Sequence, residues 1–144
     1  MMITDKGHYL EFYERDPTDT RKEEAHQVDS MSWLRYMHPQ YLAWHTTNEG
    51  IKTMVSALRD QQAGLLKGVS DFVILTGFIG CKYPFIAIEL KRVNKSGKGK
   101  ASPVSEEQSE FLRRVHTLGG FTAVAYGFEQ FKIAIEYAMN STNS

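Results

Sequence analysis

The sequence predicts an α/β chain, a mixed central sheet flanked by helices, with the element order α-β-α-β-β-α-β-α. Three observations carry that reading. Stretches with apolar residues at helical spacing alternate with short apolar runs rich in β-branched and aromatic residues. Glycine- and proline-containing junctions separate the two kinds of segment. The 144 residues are 42% hydrophobic and 24% charged, the composition of one globular domain with an ordinary core.

Residues 1–19 mix aromatics with acids and end in the turn-like Asp16-Pro17-Thr18-Asp19, so they read as an N-terminal arm, flexible or poorly ordered. A helix follows from about Thr20, with Glu23, Gln27, Met31 and Leu34 on one stripe; His38-Pro39 stops it, because a residue before proline leaves the α region. Tyr41 to His45 is a short aromatic strand. After Asn48-Glu49-Gly50, the spacing of Ile51, Met54, Val55 and Leu58 predicts a second helix ending near Gly64. Phe72–Leu75 and Phe85–Lys91 are apolar strands joined by a glycine-containing turn, hence an antiparallel hairpin. Asn94 to Pro103 is a Gly/Lys/Ser loop. Ser105-Glu106-Glu107-Gln108 is a capping-box sequence opening a helix whose apolar face is Phe111, Leu112 and Val115. Gly119-Gly120 ends it. Phe121–Tyr126 is a last strand and Phe128–Met139 a last amphipathic helix. The domain proper thus runs over 20–139, with 140–144 a polar tail.

Charge and cysteine content exclude several classes. Seventeen basic residues balance 17 acidic ones, which argues against a binder that works by bulk positive charge. The balance is uneven along the chain: Asp5 to Asp29 holds eight carboxylates against four cations, whereas Lys91 to Pro103 holds five cations and no acid. The single cysteine, Cys81, excludes a disulfide framework and a cysteine zinc cage, and a reducing cytoplasm suits it. No apolar run nears the ~20 residues of a membrane span, so no membrane partner is expected.

The local anomaly is Glu89-Leu90-Lys91 at the end of an otherwise apolar strand. Alternation puts Glu89 and Lys91 on one face and Leu90 on the other. Charges so close to a buried strand are costly unless they pair or meet a ligand. Asp71 opens the preceding strand, and the hairpin can bring it beside Glu89. Two converging carboxylates form a hard-cation site suited to Mg²⁺ or Mn²⁺. Phosphodiester hydrolysis uses such a site, with Lys91 orienting water or stabilising developing charge. The plainer alternative is a Glu–Lys pair at a solvated strand edge. Glu23, on the helix stripe, can supply a third carboxylate, and its neighbour Glu24 leaves the register open. Helix N-terminal charge explains either one equally. Capping alone explains Gln108. Arg92, Lys95, Lys98, Lys100 and Lys67 lie where a DNA backbone beside the site would need cations, or they form a solvated loop. None of the five histidines has metal-ligand spacing; His45, near the Asn48-Glu49 turn, is the best placed. Trp33 and Trp44 read as core.

Gly68-Val69-Ser70-Asp71-Phe72, Ile88-Glu89-Leu90-Lys91-Arg92, Ser105-x-x-Gln108, and Gly119-Gly120 ahead of Ala123-Val124-Ala125-Tyr126 occur in an order that resembles the VRR-NUC (virus-type replication–repair nuclease) domain. That domain is a branch of the PD-(D/E)XK nuclease superfamily. Glu23 to Leu34 and Trp44-His45-x-x-Asn48-Glu49-Gly50 resemble its first helix and its Asn-Glu-Gly turn. The resemblance implies a restriction-endonuclease-like core over about residues 20–139. By that resemblance Asp71 and Glu89 match the metal-binding acids, with the Leu90 carbonyl a further ligand. Lys91 matches the catalytic lysine, Glu23 the first-helix acid, and Gln108 a glutamine that supports the site. Ser70 stands where the superfamily has proline. The implied function is a metal-dependent, structure-specific DNA endonuclease with Mg²⁺ or Mn²⁺. Homodimers that cut branched DNA such as Holliday junctions, in a bacterial or phage-infected cell, are the form implied. A nicking or flap endonuclease, or an inactive DNA-binding accessory protein, are the alternatives.

Overall fold

The computed structural model describes residues 2–46, 54–64 and 66–140. Its elements are β1 (Met2–Asp5), β2 (Leu10–Tyr13), α1 (Glu23–Met37), β3 (Leu42–His45), α2 (Met54–Gln62), β4 (Phe72–Leu75), β5 (Phe85–Lys91), α3 (Glu106–Thr117), β6 (Phe121–Tyr126) and α4 (Phe128–Asn140). From α1 onward this is the expected succession. The Asn48-Glu49-Gly50 turn, the first residues expected of the second helix and residues 141–144 of the tail lie outside the described residues.

The N-terminal segment departs from expectation. Instead of a loose arm it forms a hairpin, β1 antiparallel to β2, and β2 pairs in parallel with β6. The six strands run in the order β1-β2-β6-β5-β4-β3. The expected β4–β5 hairpin is antiparallel, with Phe72 opposite Ile88 and Leu75 opposite Phe85. β5 and β6 are parallel and are joined across one face by α3, as parallel neighbours require. Both are central, which explains why β6 is buried along its whole length and reads as a continuous apolar run.

Alternation along β5 divides the molecule into two unequal layers. Ile86, Ile88 and Leu90 point into a large apolar core with Phe12, Phe72 and Ile74 of other strands, Leu34 of α1, and Phe131 and Ile135 of α4. Ala87, Glu89 and Lys91 point the other way, under α3, where the apolar packing is smaller and rests on Ala87, Leu112, Val124 and Tyr126. Trp33 packs against the large core and meets the Phe131 ring edge-on at 6.2 Å between centroids. Trp44, expected in the core, is instead 41% exposed, on the edge strand β3, where no helix among the described residues covers its side chain.

His26 ties α1 to the start of α4 at one end of the large core. It is fully buried, its Nδ1 accepts the Phe128 backbone N–H at the start of α4 (3.1 Å), and Nε2 lies 3.4 Å from Asp19. Burial holds its imidazole below the ordinary histidine range, consistent with an Nδ1 lone pair kept for the amide.

Gly68 fixes the approach of the loop before β4 to the start of α3. Its φ is +78°, and a Cβ there would run into the Glu107 backbone. Gly68→Ala is expected to lower stability by roughly 1–3 kcal/mol, read as a drop in the urea midpoint. An unchanged midpoint would show that the close approach is not required.

Candidate active site

Register alone begins to assemble the site. Phe72 pairs with Ile88, so continuing the antiparallel ladder by one residue sets Asp71 opposite Glu89 on the same face. The ladder is interrupted there: the Leu90 N–H donates to Asp71 Oδ2 (2.8 Å) rather than to a backbone carbonyl. A residue's N–H and C=O leave a strand on the same side. The Leu90 carbonyl is therefore directed toward Asp71, while the next carbonyl, of Lys91, faces β6 and accepts the Gly127 N–H (2.8 Å).

Asp71, Glu89 and Lys91 are all buried. Burial, reinforced by the neighbouring Asp71 carboxyl, pushes Glu89 up to about 9. Burial also raises Asp71, against the pull of the Leu90 N–H. Glu23, the first residue of α1, is half-buried and raised by burial and then by the negative charge of Asp71, whereas Glu24 is exposed. The structure thus brings Glu23, not Glu24, toward the pair.

Gln108 does more than cap. Its backbone N–H donates to Ser105 Oγ (3.1 Å), and its Oε1 accepts the Ser105 N–H (2.9 Å), completing the expected capping box. The same amide donates from Nε2 to Glu89 Oε1 (2.7 Å) and accepts from Lys91 Nζ (3.2 Å). Lys91 Nζ also donates to Ser102 Oγ and to the Pro103 carbonyl, both at 3.3 Å. Three acceptors meet the three N–H donors of an ammonium. Gln108 therefore spans the carboxylate and the lysine and fixes both.

His45 is brought in from the edge strand. Its Nδ1 lies 3.0 Å from the Asp71 carbonyl and 2.6 Å from Gln27 Nε2. Gln27, Ser102 and Pro103 were not candidates from sequence. Gln27 shares the α1 stripe with Glu23, which is the signal that could have found it. The other two are neutral loop residues with no such signal.

The five candidate DNA-binding cations divide. Arg92 donates to the Thr20 carbonyl (2.6 Å), and Gly99 packs so closely on its guanidinium that a Cβ there would clash. Lys95 pairs with Glu11 and lies over the Tyr13 ring, 4.5 Å from its centroid. These two hold the loop to the N-terminal segment, an internal use that competes with binding a phosphate. Lys98, Lys100 and Lys67 are exposed.

The donor set fits a hard divalent cation. Among the described residues no three side chains of His, Cys, Asp or Glu are gathered closely enough to hold a metal ion. The fit rests instead on two oxygen ligands from Asp71 and Glu89 with the Leu90 carbonyl. Mg²⁺ commonly keeps several waters beside one or two carboxylates. Glu89 Oε2 is buried with no hydrogen-bond donor among the described residues, the open acceptor that a cation would occupy.

Fold and site together define a nuclease-type α/β domain, a mixed sheet with paired acids and a lysine at the end of its central hairpin. The VRR-NUC domain model matches residues 19–129, and the chain belongs to that family of nuclease domains. A solved structure described as a VRR_NUC domain protein is similar in fold, with a TM-score of 0.62 and 17% identity over 82% of this chain and 88% of the other. Both support the PD-(D/E)XK type of fold expected from the sequence. No curated protein sequence matches significantly.

The raised Glu89 pKa sets a pH dependence. Without a cation the folded chain keeps a proton on Glu89 up to about pH 9, whereas the unfolded chain releases it near the ordinary glutamate value of 4.5. Between those limits the folded state binds more protons, so stability falls as pH rises. A cation that replaces the proton stabilises more in the upper part of that window. Thermal melts in EDTA should decline toward alkaline pH, and Mn²⁺ should raise Tm more at about pH 8 than at about pH 5.5. Glu89→Gln should flatten both trends.

Proposed function

We propose that this chain is a metal-dependent DNA endonuclease specific for branched structure, acting as a homodimer on junctions of the Holliday type. The observation that carries the reading is the buried Asp71–Glu89 pair, with Glu89 and Lys91 held in common by Gln108. Asp71, Glu89 and the Leu90 carbonyl would hold Mg²⁺ or Mn²⁺, with Glu23 on the outer side. A divalent ion there neutralises charge on a phosphodiester and makes water a stronger nucleophile. Lys91, fixed by Ser102, Pro103 and Gln108, would place its positive charge beside the charge that develops on phosphate oxygen, and would hydrogen-bond the attacking water only by exchanging one of those three contacts. Gln108 holds the Glu89 carboxylate in one rotamer, which lowers the reorganisation needed when the cation enters.

A four-way junction needs paired cuts, and a two-fold dimer supplies paired sites. Exposed apolar side chains on the open edge of the sheet, Leu42 and Trp44 of β3 and Leu75 of β4, offer surface for such an interface.

Labelled four-way junction, flap and linear duplex DNA, each with Mg²⁺, Mn²⁺ or EDTA, test the reading. Symmetric cutting of the junction is expected, abolished by EDTA. Lys91→Ala and Asp71→Ala should each lower the rate by about 100-fold or more. Cutting of flaps or nicking of duplex would keep the chemistry and remove the junction. DNA binding without any cutting would favour an accessory binding protein.

A further inference from the structure

The N-terminal hairpin reaches the same face of the sheet as the carboxylate pair. Glu89 is level with Val124 of β6, and Val124 with Glu11 of β2. Two strand spacings, about 10 Å, therefore separate Glu89 from Glu11. Glu11 is a second buried carboxylate, 5% exposed, that the hydrolytic site does not use. It pairs with Lys95 and lies 3.5 Å from Lys6 Nζ.

Around it is a hollow of about 380 Å³ lined by Lys6, Tyr9, Glu11, Lys95, Lys100 and Tyr126. Its far wall is Ser102 and Pro103, the residues that hold Lys91 Nζ. The hollow and the candidate active site thus share one wall. Three lysines face one carboxylate, so the hollow carries excess positive charge at its mouth. Its inner surface is phenol ring and a buried acceptor. Burial, and then Glu11, raise both Tyr9 and Tyr126, which keeps their hydroxyls protonated and available as donors.

We infer that this hollow is a subsite for one nucleotide of the DNA strand that leads away from the cleavage site. Lys6 and Lys100 take the phosphate while Lys95 stays paired with Glu11, the half-buried Tyr9 ring meets the base, and Glu11 accepts from an exocyclic amino group. A stacked strand rises about 3.4 Å per nucleotide, so about 10 Å places the subsite roughly three nucleotides from the reacting phosphate. Such a pocket favours a strand that can splay a base, as at a branch point. Lys6, Tyr9 and Glu11 precede residue 19, where the family match begins, so three of the ten lining residues come from outside the shared domain. This inference rests on the nuclease reading above, because it supplies that site with its substrate.

The test is fluorescence polarisation with a short fluorescein-labelled single strand in EDTA, which separates binding from cutting, beside cleavage assays on the same proteins. Lys6→Ala and Tyr9→Ala should each weaken binding about tenfold, and Lys6→Ala should lower the dependence of log K on log salt by about one unit. Tyr9→Phe should restore binding by keeping the ring. Lys132→Ala, at a partly buried lysine on α4 that pairs with Glu129 away from the hollow, should bind as wild type does, and circular dichroism melts check that each variant is folded. Wild-type affinity in both Lys6→Ala and Tyr9→Ala, with cleavage intact, would overturn the subsite and leave the nuclease standing. Absence of both binding and cleavage in the wild-type protein would overturn the two together.

Discussion

The constraint on which the rest of the site depends is the burial of two carboxyls and a lysine on one face of β5 and its neighbour. Charged groups taken out of water are costly unless each oxygen and each N–H finds a partner. Gln108 answers for Glu89 Oε1 and for one Lys91 proton, the Leu90 N–H answers for Asp71 Oδ2, and Ser102 with Pro103 completes the lysine. Glu89 Oε2, fully buried, has no donor among the described residues. A fully satisfied network would need no ligand. An open buried acceptor beside satisfied ones is what leaves a preformed seat for a cation.

That network depends on parts of the chain far from it. Ser102 and Pro103 belong to the loop that begins at Asn94, and Asn94 is buried against the N-terminal segment. Its Nδ2 donates to the carbonyls of Asp16 (2.8 Å) and Asp19 (3.1 Å), and its Oδ1 accepts the Asp16 N–H (2.8 Å). Its own carbonyl accepts the Ala101 N–H (2.7 Å), closing the loop at its base. Arg92 and Lys95 add the contacts to Thr20 and Glu11. The segment before α1 therefore acts as the frame against which the lysine's acceptors are placed. Cations that sequence assigns to DNA are partly spent on that frame, which leaves Lys98 and Lys100 of the loop, with Lys67, exposed and outside it.

Local signals were readable and distant ones were not. The β4–β5 hairpin, the capping box at Ser105 and the glycines after α3 follow from a few adjacent residues each, and all stand where the sequence puts them. Asp71, Glu89 and Lys91 were legible because charge at the end of an apolar strand violates the usual pattern. β1 and β2 were missed because each has four residues and β6, the strand that joins their hairpin to the sheet through β2, lies more than a hundred positions away. The inward Glu11 also breaks the continuous apolar run by which a strand buried on both faces would be recognised. Spacing hid the second role of Gln108 behind its first, since a cap at N3 already accounts for a glutamine, and the family resemblance alone pointed to the site. Trp44 misled through its size: an aromatic on an edge strand has a strand's propensity without a core to enter.

The two faces of the sheet explain how a chain this small carries so costly a site. Phe12, Phe72, Ile86, Ile88 and Phe131 fill the face under α1 and α4, and the burial of such side chains contributes about 1.5–3 kcal/mol each. On the other face Ala87 and Val124 keep the packing shallow beside Glu89 and Lys91. Small side chains there leave room for the charged groups and for α3 to bring Gln108 down onto them. A larger residue at Ala87 would add apolar area but push α3 outward, and with it the amide that joins Glu89 to Lys91. Stability is therefore concentrated on the face without chemistry, and the alternation of a single strand is what keeps the two apart.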